Sequence, residues 1–88
     1  MGFLSRLFGS SYADDKLIAA ATRAINSDPL TRDPTTLLVS SKKGVVTLGG
    51  IVPKEQEKGR IEGVVLTAFT NANLKHERLV NELKTPHS

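Results

Sequence analysis

The chain has 88 residues, a formal net charge of +3 and a pI near 9.5. It has no cysteine, which excludes disulfides, thiolate zinc sites and cysteine nucleophiles. Residues 1–44 carry six Lys/Arg and four Asp/Glu, and residues 45–88 carry six and five, so the charge is spread out and forms no basic arm.

The opening segment, MGFLSRLFGSS, is the most unusual stretch. Met1, Phe3, Leu4, Leu7 and Phe8 fall within an arc of roughly 160° on a wheel of about 100° per residue. Ser5, Gly9, Gly2 and Arg6 occupy the rest. Two turns do not hold as an isolated helix in water, so the segment must fold against something. It is too short for a membrane span, lacks the basic start of a secretory signal, and has Arg6 where a myristoylation signal wants Ser or Thr. Phe3, Leu4, Leu7, Phe8 and Arg6 are the expected contact residues for a membrane surface or a partner. The segment and its linker span 1–10.

SYADDKLIAAATRAINSD predicts a helix, with Leu17, Ile18, Ala21, Ala24 and Ile25 on its apolar face. Ser11 or Asp14 is the expected cap, and Asp14 and Asp15 suit the positive end of the helix dipole. Pro29 stops the helix by forcing the preceding residue out of helical geometry.

PLTRDP is a loop. TTLLVSS, around Thr36 to Ser41, is rich in β-formers. KKG reads as a tight turn with Gly44 at positive φ, and GVVTLGGIV as the second strand of a hairpin. Val46, Leu48 and Gly50 share one face of it, and Val45, Thr47 and Gly49 the other.

Pro53 then suits a helix start, and KEQEKGRIEGVVLTAFTN predicts the second helix. Ile61, Val64, Val65, Ala68 and Phe69 line one face. Gly59 and Gly63, four apart, suggest local packing against the hairpin or close approach of another backbone.

NANLKHERLVNELKTPHS fits two periods. His76, Val80 and Leu83 suit a short helix, whereas Leu79, Asn81 and Leu83 alternate as a strand. A third strand completes a sheet that both helices can cover, so the strand is the expectation. The expected fold is α+β, a small two-layer sandwich in αββαβ order, with two helices packed on one face of a three-stranded mixed sheet. Residues 85–88 are expected to be a disordered tail.

From Asp14 onward the pattern resembles the BON domain family, named for bacterial osmotically induced and nodulation proteins. The resemblance rests on the acidic helix start, on G-V-V-T-L-x-G over Gly44–Gly50 with Val52, and on Leu79-x-Asn81-x-Leu83. Its motif residues are Gly44, Val46, Leu48, Gly50 and Asn81. Gly44 turns the hairpin, Val46 and Leu48 alternate into the core, and Gly50 lets the strand end bend toward the second helix, where a side chain would crowd the backbone. These are scaffold reasons, so the motif speaks to fold more than to function. Lys43 stands where the family has a turn asparagine, Gly49 where serine is common, and Asn73-Leu74 where the family has Gly-Val. The resemblance covers about residues 14–84 of an 11–84 domain. It implies a non-enzymatic module associated with phospholipid membranes and the cell envelope, with no fixed ligand set to carry over.

No catalytic residue set, metal site or cofactor site is legible. His76 reads as a solvated loop histidine and His87 as part of the tail. Glu55 and Glu57 read as a solvated helix start. Lys42 and Lys43 at the hairpin tip, with Lys54 and Lys58 near the second helix, are expected to form one positive corner able to meet lipid headgroups. The strands lack aromatic platforms, so nucleic acid is not an expected partner.

The reading is a cytoplasmic module, peripheral at the inner face of the membrane. It binds phospholipid or an envelope-associated protein through its amphipathic start. The alternative is a protein-interaction or self-assembly module in which that segment is an oligomer contact, giving a homo-oligomer.

Overall fold

A computed structural model describes residues 12–31 and 33–86. The chain runs α1 (Asp14–Ser27), β1 (Leu37–Lys42), β2 (Val45–Gly50), α2 (Glu55–Asn71) and β3 (Arg78–Asn81), with a single 3-10 turn at Pro34–Thr36 ahead of β1. This is the expected α+β class. The added 3-10 turn comes from Asp33, whose carboxylate accepts from the Thr35 N–H and hydroxyl.

The sheet order is β1-β2-β3, with β2 central. β1 and β2 are antiparallel, from Leu37 opposite Gly50 to Lys42 opposite Val45. β2 and β3 are parallel, with Val45 opposite Arg78 and Leu48 opposite Asn81. A parallel neighbour needs a long crossover, which α2 supplies.

Both helices press on one face of the sheet. Leu17, Ala21 and Ile25 of α1 and Ile61, Val65 and Phe69 of α2 are buried at four-residue spacing, the period that stacks side chains on one helix face. Val46, Leu48, Val52 and Leu83 complete the core from below. Ile18, Val64 and Ala68 are only partly buried. Asn81 faces the helices, where its amide donates to the Lys58 carbonyl and the Glu62 carboxylate, each at 2.9 Å.

Three expectations need correction. Asp14 does not cap α1: the cap position is Ala13, with no side-chain hydrogen bond, and Asp14 turns to the hairpin instead, while Ser11 lies outside the described residues. Gly59 and Gly63 face solvent. A Cβ on either would meet nothing within 4 Å, so no backbone among the described residues packs there. The tail is ordered through Pro86. Thr85 is 6% exposed and donates to Glu55 at 3.0 Å, and Lys84 bridges to Ile51. His87 and Ser88 lie outside the described residues.

The opposite face of the sheet has no layer over it among the described residues. Leu38, Ser40 and Lys42 of β1 point there, with Val45, Thr47 and Gly49 of β2 and Val80 of β3. Leu38 is 70% exposed.

Candidate functional site: the hairpin corner

The β1–β2 turn has two residues, Lys43 at φ 51° and Gly44 at φ 83°. Two positive φ values make the turn whose twist suits a two-residue hairpin. Lysine is a poor resident there, since a Cβ crowds the left-handed region. Asp14 offsets that penalty. Its carboxylate accepts from the Lys43 N–H at 2.8 Å, the Gly44 N–H at 2.9 Å and the Ser41 hydroxyl at 2.7 Å. Three donors, the Ser41 hydroxyl foremost, hold the Asp14 pKa below its ordinary value.

The sign of that shift sets a pH dependence. A depressed carboxylate stabilises the fold above its unfolded pKa of 3.8, and the contribution is lost as pH falls on through the folded value. Asp14→Asn lacks the charge at every pH. The gap in melting temperature between wild type and Asp14→Asn is therefore expected to be widest at neutral pH and to close on acidification below 3.8. Thermal unfolding followed by circular dichroism at a series of pH values checks it. A gap constant with pH would mean that the carboxylate charge plays no part.

Tyr12 closes the corner. Its ring lies so close over Gly44 that a Cβ there would sit 2.6 Å from ring carbons. Its hydroxyl donates to Glu77 at 2.7 Å, just before β3. That hydrogen bond, then burial, then the Glu77 charge raise the Tyr12 pKa. The Glu77 N–H in turn donates to the Gly44 carbonyl at 2.7 Å. The start of α1, the hairpin turn and the entry to β3 are thus fastened at one point, and the described residues begin there, at Tyr12.

This corner carries exposed cations. Lys42, Val45 and Arg78 form one row across the sheet, Lys43 occupies the turn, and Lys75 lies in the loop before β3. Asp14 and Glu77 are the acidic groups beside them, and both are hydrogen-bonded.

The expected single corner of four lysines does not exist. Lys42 and Lys43 precede β2, whereas Lys54 and Lys58 follow it, about 20 Å away at the usual rise per strand residue. Lys58 is also engaged in an ion pair with Glu55 at 3.0 Å, and this partner, followed by Thr85, holds the Glu55 pKa down. The resident cations of the hairpin corner include Lys75 and Arg78, which sequence reasoning passed over. They reach it through the parallel β2–β3 register, a long-range pairing with no local signal. Phe3, Leu4, Leu7, Phe8 and Arg6 lie outside the described residues.

Other candidates are weaker. His76 is not freely solvated: it is partly buried, with its ring 5.3 Å from that of Phe69. Glu57 is tied to Arg60, which also pairs with Asp28. A cleft of about 330 Å³ opens at the far end of β2, lined by Leu37, Ile51, Val52 and Ile61 with Asp33 and Glu57 at its rim. Asp33 accepts from Thr35 and Glu57 is paired with Arg60, so both rim carboxylates are already engaged. No group of three His, Cys, Asp or Glu among the described residues could hold a metal ion. No helix among them is long and apolar enough to cross a membrane. No family model matches the chain, and no curated protein matches it.

Proposed function

We propose that the protein is a non-enzymatic, BON-like binding module. It associates with phospholipid through its apolar N-terminal segment, at the inner face of the membrane. The observation that carries this reading is the position of the residue to which that segment is joined. Tyr12 lies at the corner that carries exposed Lys42, Lys43, Lys75 and Arg78. An apolar anchor and a basic patch at one corner address one anionic surface together. The apolar side chains enter the acyl boundary while each nearby Lys or Arg adds about 1 kcal/mol from anionic headgroups.

The terms are individually modest. Burying two Phe and two Leu yields about 1.5–3 kcal/mol each, and ordering the segment costs about 1–2 kcal/mol per residue. One copy therefore binds reversibly, and several copies on one assembly bind tightly.

Co-sedimentation with vesicles of phosphatidylglycerol and phosphatidylethanolamine tests the proposal. Phe8→Asp is expected to lower the partition coefficient about tenfold or more, the loss of one buried Phe. Lys42→Glu combined with Lys75→Glu is expected to weaken binding to these vesicles, with little effect on vesicles of neutral lipid. Equal binding by all three proteins would end the anchor reading. Concentration-dependent oligomers of wild type that Phe8→Asp dissolves, with no vesicle binding, would put the self-assembly contact in its place.

A further inference from the structure

The bare face of the sheet has no partner among the described residues, and the dimensions of the chain point to one. β2 is six residues long, about 20 Å, and three strands span about 10 Å across. An eight-residue helix is about 12 Å long and about 10 Å in diameter. One such helix covers the width of this face and about 12 Å of its length.

The face is shaped to receive it. Two depressions meet at Gly49, one bounded by Leu38, Ser40 and Thr47, the other by Ile51, Glu82 and Lys84. A Cβ on Gly49 would meet nothing within 4 Å among the described residues, so the space above β2 is open toward the end away from the hairpin turn. Leu38 and Ile51, two of the three exposed large hydrophobics among the described residues, flank that space.

The chain also starts from the right place. Tyr12 is pinned at the hairpin end of the same sheet by its ring on Gly44 and its hydroxyl on Glu77. Residues 9–11 span about 10 Å when extended, enough to round that end of the sheet. The eight residues before them then lie along β2. The far cleft beside Ile61 is beyond the reach of Leu7 and Phe8 in this arrangement, because β2 alone separates it from Tyr12 by about 20 Å.

We propose that residues 1–8 of the same chain seat on the bare sheet face, with Phe3, Leu4, Leu7 and Phe8 over Leu38, Thr47, Gly49 and Val80. So short a link holds the segment at an effective concentration in the millimolar range, above that of a second copy in dilute solution. The seat is where the segment rests away from lipid. It shares with the proposed function only the apolar character of residues 1–8, and vesicles compete with it for the same side chains.

The test uses the full chain without lipid, so its outcome is independent of the membrane reading. The sequence has no cysteine, so Ser5→Cys gives a unique site for a nitroxide label on the polar side of the segment. The label is expected to broaden the amide signals of Leu38, Thr47, Gly49 and Val80 far more than those of Arg23, Gly63 and Thr67 on the helices. The broadening should be unchanged on tenfold dilution. It should vanish in Gly49→Phe, which fills the trough without meeting the protein's own atoms at Cβ. Uniform weak broadening, or broadening that survives in a folded Gly49→Phe, would overturn the seat. So would broadening transferred to a 15N-labelled chain from a separate spin-labelled one, because the occupant would then be a second copy.

Discussion

Gly50→Ala is expected to lower the unfolding free energy by about 2–6 kcal/mol, through two separate mechanisms. Gly50 has φ 108°, a conformation that costs a residue with a Cβ about 1–3 kcal/mol. A Cβ there would also sit 2.0 Å from the Thr36 carbonyl oxygen, and the backbone shift needed to relieve that overlap costs about 1–3 kcal/mol more. The Thr36 carbonyl is not free to move. It accepts from the Ile51 N–H, while the Thr36 hydroxyl donates back to the Ile51 carbonyl at 2.9 Å. A domain of this size has about 4–13 kcal/mol in total, so the change removes a large share. Gly49→Ala, one residue away, is the control. Its Cβ meets no described atom within 4 Å, and its stability is expected to stay within about 1 kcal/mol of wild type. Urea titration of the two variants decides it. Equal midpoints would mean that the close approach of β2 to Thr36 is not as described.

Gly50 also shows how far the sequence could be read. A glycine ending a strand suggested backbone crowding, and crowding is present. The expected neighbour was the second helix, whereas the crowding atoms belong to Thr36 and Leu37, where β1 begins. The kind of constraint was legible because it is local, and the partner was not because it comes from the register of a strand pair. The same division runs through the molecule. Leu17, Ala21 and Ile25, and Ile61, Val65 and Phe69, announce their helices by spacing alone. The strand reading of Leu79 and Asn81 follows from what a hairpin and two helices still need to bury. Asp14 looked like a helix cap because capping is local, but its carboxylate serves a turn 29 and 30 residues later. Lys75 and Arg78 join Lys42 only through the parallel pairing of β3, and Thr85 is fastened by a glutamate on α2. The candidate site is a meeting of three chain segments, and no window of sequence contains it.

Phe69→Ala is expected to cost about 3–5 kcal/mol, and its consequence reaches the hairpin corner. Phe69 is 1% exposed in the last turns of α2, and its carbonyl accepts from the Leu74 N–H at 2.9 Å. His76 packs against its ring. The loop between them carries Lys75 and delivers Glu77 to Tyr12, so an emptied Phe69 site removes the support under the basic corner as well as core volume. Phe69→Leu retains an apolar side chain in the space and is expected to cost less. The sequence contains one tyrosine and no tryptophan, so intrinsic fluorescence reports on Tyr12 alone while circular dichroism reports on the helices. In urea, both signals are expected to move to a lower midpoint together in Phe69→Ala, because the corner and the helices share one core. A Tyr12 transition well ahead of the helical one would show a corner that opens by itself. In that case vesicle binding would fall in Phe69→Ala at urea concentrations where the helices persist. Coincident transitions mean instead that any loss of binding in this variant is a loss of the folded state, which leaves Phe8→Asp as the variant that tests binding apart from stability.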